Sequence, residues 1–489
     1  MRIDTSTFDH LNGFYRPGLC LPDQLKATTV GRQTLLETLQ TELLSEDKES
    51  EKTNFMIMGP PGVGKTHFIR VLALLIENNR TLASQFITIQ FPEENHRILT
   101  FADLLLGIIE IIANSSSDNS WLETQSELIE KQDDSELIDA ALPILENYCK
   151  QIGKKLLIIL ENIDVFFRGQ LRDSKNIKQF KRFITKSSFA TFIGTSQYNL
   201  IKTDELRRPP FNLFDIHILD VLSLDETVDL IRVTLEWNRQ IELLESFDEL
   251  IPRIKALYEM SGGNPRLSLI LYELIAKENK WDIKRQIEKL LDQSTPFFRD
   301  RMQMLAPQER AILETIALMN LELKTATSIS RSMRQSLQQT SNHLNKLLKA
   351  GYLIVTDHPN DKRSKIFRIK EGFFGLWLSI GHSREQNIIL PRLVEFLEQW
   401  YTEKPAREKK RLQIWSSLQN LDDSERPDRN NQELLLKYLS DIGSIEEQVQ
   451  NKFELVHYLF SVGKPGEAKI LINEIYLIYY QRPYYLDWM

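Results

Sequence analysis

Cysteine is almost missing from this sequence: Cys20 and Cys149 are the two in 489 residues, and neither sits in a CxxC pair or a Cys/His cluster. A disulfide-stapled secreted fold and a thiolate-bound structural zinc are therefore not expected, and the pattern fits a reducing compartment with both cysteines as small buried apolar residues. Long hydrophobic runs are missing as well. No stretch reaches the roughly 18 apolar residues of a membrane-spanning helix. The opening Met1-Arg2-Ile3-Asp4-Thr5-Ser6 has no apolar signal-peptide core, so the expectation is a soluble, cytoplasmic chain with no membrane partner. The sequence also lacks an excess of positive charge, and a net charge of −7 argues against a nucleic-acid binder taken whole. Compositional bias is lacking too: 42% apolar and 26% charged residues exclude a wholly disordered or fibrous chain. At about 100 to 200 residues per domain, the length implies three or four units.

The charge is unevenly spread. Between Lys324 and Lys370 stand ten cations, Lys324, Arg331, Arg334, Lys346, Lys349, Lys362, Arg363, Lys365, Arg368 and Lys370, against Asp357 and Asp361, a local net of +8. An average over the whole chain hides this basic module.

Thr53 to Met58 reads as a short buried strand, and Thr66 to Glu77 has helical periodicity. Phe86 to Gln90 is the next strand and Leu99 to Ala113 an apolar helix. After the polar break Asn114 to Ser120, Ser126 to Lys150 is mostly helical. Leu156 to Leu160 and Ala190 to Gly194 are apolar runs suited to central parallel strands. This alternation predicts an α/β fold with a doubly wound parallel sheet and a ligand at the carboxyl ends of its strands. Ser223-Leu224-Asp225-Glu226 is a capping box, and the pattern from there to Leu291 predicts a helical lid. No internal repeat is visible.

Between the first strand and helix lies Gly59-Pro60-Pro61-Gly62-Val63-Gly64-Lys65-Thr66, a complete P-loop. A triphosphate needs close backbone approach, which the glycines allow, together with a positive helix start, a lysine for the β- and γ-phosphates and a hydroxyl for Mg2+. Lys65 and Thr66 supply the last two, so ATP and Mg2+ are the expected cofactors. The second need is an acid at the end of a neighbouring strand. Glu161 is placed to support the metal, but Asn162 stands where an active ATPase of this layout has a carboxylate, and an amide cannot take a proton from water. ATPase turnover is expected to be slow unless Asp164, Glu93 or Glu94 serves as the base. The other reading is a switch that senses occupancy by differential binding.

These residues resemble an AAA+ ATPase of the origin-recognition/STAND-like branch, the archaeal-type ATPases, over Val30 to Leu291. By that resemblance Val30-Gly31-Arg32 packs on the adenine, and Thr195, followed by Ser196, reads the γ-phosphate as sensor 1. Gly262-Gly263-Asn264-Pro265-Arg266 is similar to sensor 2, whose arginine reaches the phosphates; a proline at a first helical turn and a bidentate arginine suit that role. Arg207 and Arg208, before Pro209-Pro210-Phe211, stand where related ATPases place an arginine finger. Such a finger implies head-to-tail self-association.

Met302 to Ile369 reads helix, helix, helix, strand, turn, strand, the order of a winged helix-turn-helix, and Asp357 to Lys365 resembles the wing of MarR-type regulators joining Tyr352–Val355 to Ile366–Ile369. Duplex DNA is the expected partner, with Gln338, Asn342 and Lys346 on the third helix and Lys362, Arg363 and Lys365 on the wing. Glu371-Gly372-Phe373-Phe374-Gly375-Leu376-Trp377 resembles the aromatic segment that packs such a module onto a helical tail. Leu393 to Tyr401 and Leu434 to Leu439 are amphipathic, and Val456 to Tyr480 is similar to one TPR-like helix pair, a candidate protein-partner surface. The expected division is an ATPase domain over residues 1–221, a lid over 222–295, a winged helix over 296–384 and an all-helical tail over 385–489. Three functions stay open: an ATP-dependent switch on DNA, a STAND-like signalling or defence NTPase whose winged helix and tail bind proteins, and a transcription regulator with ATP as ligand.

Overall fold

In the computed structural model, residues 20–45, 54–92, 97–116, 120–131, 133–167, 173–197, 209–276, 283–319, 324–358 and 361–382 are described, with scattered positions between Lys452 and Ile475. The chain divides into two compact units. One comprises residues 1–250, 261–278 and 349–351, the other residues 251–260, 279–348 and 352–489.

The first unit is built on a five-stranded sheet of β1 (Phe55–Gly59), β2 (Phe86–Gln90), β3 (Lys155–Leu160), β4 (Ala190–Gln197) and β5 (Asp215–Ile218), in the order β2-β3-β4-β1-β5. Every pairing is parallel. Parallel strands covered on both faces need near-continuous apolar runs, which is why β1, β3 and β4 lack polar alternation. Met56, Met58, Leu156, Ile158, Leu160 and Phe192 face one way, against helices α5 (Phe101–Ser115), α7 (Asp134–Ile152) and α9 (Ser174–Lys186). Phe55, Ile57, Leu157, Ile159 and Ile193 face the other way, against α2 (Gln33–Leu44), α3 (Lys65–Asn78) and the short α1 (Pro22–Ala27) and α4 (Arg80–Gln85). The short α8 (Ile163–Val165) adds Ile163 to the first face. Each such side chain, fully buried, contributes roughly 1.5–3 kcal/mol.

The expected elements appear with shifted ends. The apolar helix starts at Phe101, because the Thr100 hydroxyl accepts from the Asp103 N–H at 3.2 Å while the Asp103 carboxylate accepts from the Thr100 N–H at 2.9 Å. The single helical region read from Ser126 to Lys150 is two helices, α6 (Ser120–Ile129) and α7. Asp133 makes the break by accepting from the N–H groups of Ser135 and Glu136, at 2.7 and 3.1 Å. β4 continues three residues beyond Gly194, and β5 was not foreseen at all. The strand β5 is four residues long at a sheet edge and carries Asp215 and His217, so it lacks an apolar run.

Beyond the sheet, the Ser223 capping box opens α10 (Leu224–Trp237): Ser223 Oγ accepts from the Glu226 N–H at 3.2 Å and Glu226 Oε2 accepts from the Ser223 N–H at 2.7 Å. Helices α11 (Ile241–Glu245), α12 (Phe247–Ser261) and α13 (Pro265–Ala276) follow. In the same unit Leu222, Leu230 and Leu269 cluster with Val30.

The second unit contains α14 (Ile283–Gln303), α15 (Pro307–Leu318), α16 (Ala326–Ser332), α17 (Leu337–Lys349), the antiparallel pair β6 (Leu353–His358) and β7 (Asp361–Ile369), and α18 (Gly372–His382). The boundary expected between residues 295 and 296 falls inside α14, which continues through Pro296. A mid-helix proline costs about 3 kcal/mol, and burial of the neighbouring Phe298 offsets part of that cost. Within the segment Asp357 to Lys365, read as the wing that joins the two strands, residues 357–358 and 361–365 are themselves strand, with Asp357 opposite Lys365 and a register shift at His358. In the tail, Leu455, Val456, Leu459, Ala468, Leu471 and Ile475 form one buried cluster, whereas Leu393–Tyr401 and Leu434–Leu439 lie outside the described residues.

Candidate functional site

The parallel register sets the site. β1 ends at Gly59 opposite Gln197 of β4, and Leu160 of β3 pairs with Gly194, so the residues that follow β1 and β3 emerge at one end of the sheet beside Thr195. Gly59 has no room for a side chain: a Cβ would stand 2.5 Å from Leu219 O. Gly62 and Gly64 have φ of 81° and 96°, and a Cβ on Gly64 would meet nothing within 4 Å. The loop therefore presents open backbone to a ligand where α3 begins. Lys65 Nζ donates to Gly59 O at 2.9 Å and Pro60 O at 3.0 Å, curling the ammonium back onto the loop.

Thr66 Oγ1 donates to Glu161 Oε2 at 2.5 Å, so the hydroxyl at the start of α3 and the carboxylate after β3 meet, with Glu161 only 9% exposed. Both are hard oxygen donors, the kind Mg2+ takes. Asn162 is left-handed, at φ 52° and ψ 46°, a conformation asparagine tolerates better than most residues. Its N–H donates to Thr195 Oγ1 at 3.0 Å. The backbone at the base position is thus held to buried Thr195, and fully buried Asp164 lies two residues on.

The Gly-Gly-Asn-Pro-Arg segment meets the loop from the other side. Asn264 Nδ2 donates to Pro61 O at 3.0 Å and the Arg266 N–H to Gly62 O at 3.3 Å. Asn264 Oδ1 accepts from the Arg266 and Leu267 N–H groups, at 3.1 and 3.4 Å, and so caps α13. The Arg266 side chain is exposed. Val30-Gly31-Arg32 also touches the loop: Arg32 Nη2 donates to Asp220 O at 2.6 Å and Val63 O at 3.4 Å. Burial pushes the Arg32 pKa down, opposed by Glu226 and Asp220. Gly31, at φ 66°, leaves no space for a Cβ, which would stand 2.2 Å from Glu226 Oε1. His67, the residue after Thr66, joins this cluster through Thr29 Oγ1 at 3.1 Å.

Sequence reasoning overlooked His67 and Asp220, and read Glu226 only as part of a capping box, because their contacts with this site are made only in three dimensions. Asn264 carried a signal, since an asparagine before a proline at a helix start is a cap. Arg207, Arg208, Glu93 and Glu94 lie outside the described residues.

In the second unit, Gln338, Asn342 and Asn345 form an exposed stripe along α17 while Thr340, Leu344 and Leu347 are buried. Lys346, on the flank of that stripe, has its Nζ 3.9 Å from Glu309 Oε1. Lys365 is ion-paired with Asp357. Lys362 and Arg363 lie in β7, and their side chains are outside the described atoms. The local net of +8 therefore overstates the positive field here, because Glu309 lies outside the counted window.

Residues 28–182 match the AAA ATPase domain family, so the chain carries an AAA ATPase domain with a P-loop. No curated protein matches the sequence. Among solved structures, a Walker-type ATPase of Pyrococcus abyssi is similar at 14% identity and a TM-score of 0.47, over 72% of this chain and 96% of that one. The ORC2 protein of Aeropyrum pernix, solved as ADPNP–ADP complexes, is similar at 12% identity and a TM-score of 0.37, over 72% and 95%. The ORC1 protein of the same organism, in complex with DNA, is similar at 13% identity and a TM-score of 0.38, over 74% and 95%. No helix among the described residues is long and apolar enough to cross a membrane.

Proposed function

We propose that the chain is an ATP- and Mg2+-dependent switch that turns over slowly and couples nucleotide occupancy to self-association and to DNA engagement through a winged helix. The observation that carries the reading is the meeting of Thr66 Oγ1 and Glu161 Oε2 at 2.5 Å, beside an asparagine held by Thr195. Bound Mg2+ would draw its protein oxygens from Thr66 and Glu161 and neutralise charge on the β- and γ-phosphates. Gly59, Pro60, Pro61, Gly62, Val63 and Gly64 line the phosphates with backbone, and Lys65 leaves its two carbonyls for them. Thr195 and Arg266 report the γ-phosphate, Arg266 from the lid. Val30, Gly31 and Arg32 tie the leader to the loop and to the lid, so closure on the nucleotide is felt at α10. Arg207 or Arg208 would complete a neighbouring copy's site in a head-to-tail assembly.

For DNA, α17 offers Gln338 and Asn342, with Asn345 on the same stripe, and the β6–β7 hairpin offers Lys362, Arg363 and Lys365. The pairing of Lys346 with Glu309 and of Lys365 with Asp357 favours a second reading, a STAND-like NTPase in which this module and the tail bind a protein. Fluorescence anisotropy of duplex DNA, with and without ATP and Mg2+ at two salt concentrations, separates the two. DNA engagement predicts ATP-dependent binding whose salt slope falls by about 2 in Lys362→Ala/Arg363→Ala, one unit per lost phosphate contact. Absence of binding in every nucleotide state assigns the module to a protein partner. Lys65→Ala serves as the control that removes ATP binding.

A further inference from the structure

The unforeseen strand β5 and the last turn of α2 bring together three side chains that the nucleotide site does not use. Glu42, Asp215 and His217 have ligand atoms within 4.8 Å of one another. Asp215 and His217 share one face of β5 by the two-residue period of a strand, and their partners in β1 are Phe55 and Ile57. The His217 ring packs on Phe55, with centroids 5.8 Å apart, which fixes the ring's plane. His217 Nε2 is buried and makes no hydrogen bond, although Asp215 Oδ2 lies 3.4 Å away. A buried ring nitrogen without a hydrogen bond is costly and calls for an explanation. Its side chain is 15% exposed and that of Asp215 58%, so the cluster opens to solvent on the aspartate side.

The surrounding charge points the same way. Glu42 stands in the last turn of α2, where the helix end carries partial negative charge and no lysine or arginine offsets it. Among the described residues, neither carboxylate pairs with a lysine or arginine. Two carboxylates and an imidazole nitrogen are gathered within 4.8 Å of one another, and a divalent cation would satisfy all three. We propose that Glu42, Asp215 and His217 bind one divalent cation of the Zn2+ class, through one imidazole nitrogen and two carboxylate oxygens, with water completing a four-coordinate shell. The nitrogen ligand selects against Mg2+, which takes oxygen, so this site is chemically distinct from the one at Thr66 and Glu161.

The metal would clip α2 to the edge of the sheet. β5 runs directly into Leu219, whose N–H donates to Met58 O at 2.7 Å, and into Asp220, whose carbonyl accepts from Arg32. The clip therefore steadies the strand that leads from the sheet to the lid.

The test uses the full chain, stripped with chelator and held in excess Mg2+ so that magnesium sites are filled, then titrated with Co2+ and competed with Zn2+. The expected result is one Co2+ per chain with visible absorption of a nitrogen–oxygen site, displaced by Zn2+. His217→Gln should weaken uptake by at least about tenfold, and Asp215→Asn should do the same if the first variant folds poorly. Far-ultraviolet circular dichroism and ATP affinity should be unchanged, and Zn2+ should raise the melting temperature of the wild type but not of the variants. Uptake equal in wild type and both variants overturns the proposal. So does a wild-type melting temperature that Zn2+ leaves unchanged.

Discussion

His67 shows how much of the nucleotide site rests on residues that no motif contains. Thr29 Oγ1 donates to Leu25 O at 2.7 Å, so toward His67 it accepts, which places the proton on Nε2 of a neutral ring. Burial pushes the imidazole pKa down to about 4, opposed by the Leu25 carbonyl and aided by the charge of Arg32. The unfolded chain takes up this proton near pH 6.5 and the folded chain only near 4, so protons favour the unfolded state between those values. The stabilisation is full above pH 6.5 and is lost as the pH falls. This group should lower stability by about 2 kcal/mol between pH 7.5 and pH 5, and His67→Gln should remove that increment. Urea denaturation of both proteins at both pH values measures it; equal pH dependence in the two would rule the account out. The P-loop beside His67 was legible because eight adjacent residues carry the whole pattern. The contact between Lys346 and Glu309 was not, since the two stand on different helices and a charge count along the chain misses it.

At the scale of elements, the reading succeeded where burial demands a long apolar run and failed where tertiary contacts override a local signal. The strands β1, β3 and β4 and helices α3 and α5 announced themselves by composition, whereas β5, polar and at an edge, did not. The lid was expected to end at residue 295, yet α14 passes through that boundary and through Pro296. The reason is a buried cluster: Arg301 pairs with Glu371 and lies over the rings of Tyr352, Phe374 and Phe297, at 5.0, 4.9 and 5.4 Å. Phe374 and Trp377 stack at 12°, and Trp377 Nε1 donates to Thr295 Oγ1 at 3.0 Å. The aromatic segment after the hairpin, expected to meet the helical tail, packs on α14. Removing one partner of a buried pair strands the other, at about 3–5 kcal/mol. Arg301→Met should destabilise by that amount, and Arg301→Met/Glu371→Leu by far less, because both charges leave together. Chemical denaturation of the three variants checks this, and strict additivity of the two single changes would contradict it.

At the scale of the whole molecule, each unit has its own core, and the AAA ATPase domain lies in the first. What distinguishes this chain, in the proposed reading, is a complete phosphate loop joined to a hydrolytic site with Asn162 at the base position. General-base catalysis is worth about 10²- to 10⁴-fold in rate, and Asn162 cannot supply it. In the proposed reading, occupancy of the site, read by the lid through Asn264, Arg266 and Arg32, is the signal, and turnover only resets it slowly. The left-handed backbone at Asn162 also accepts aspartate, so a carboxylate can be restored there with little strain, and glutamate supplies the longer reach at about 1–2 kcal/mol of strain. The most direct measurement is steady-state phosphate release by wild type, Asn162→Asp and Asn162→Glu, alongside ATP affinity for each. The account predicts unchanged affinity, slow release by the wild type and a rise of about 10²-fold in at least one variant. Rapid release by the wild type, or no gain in either variant while ATP still binds, would contradict it.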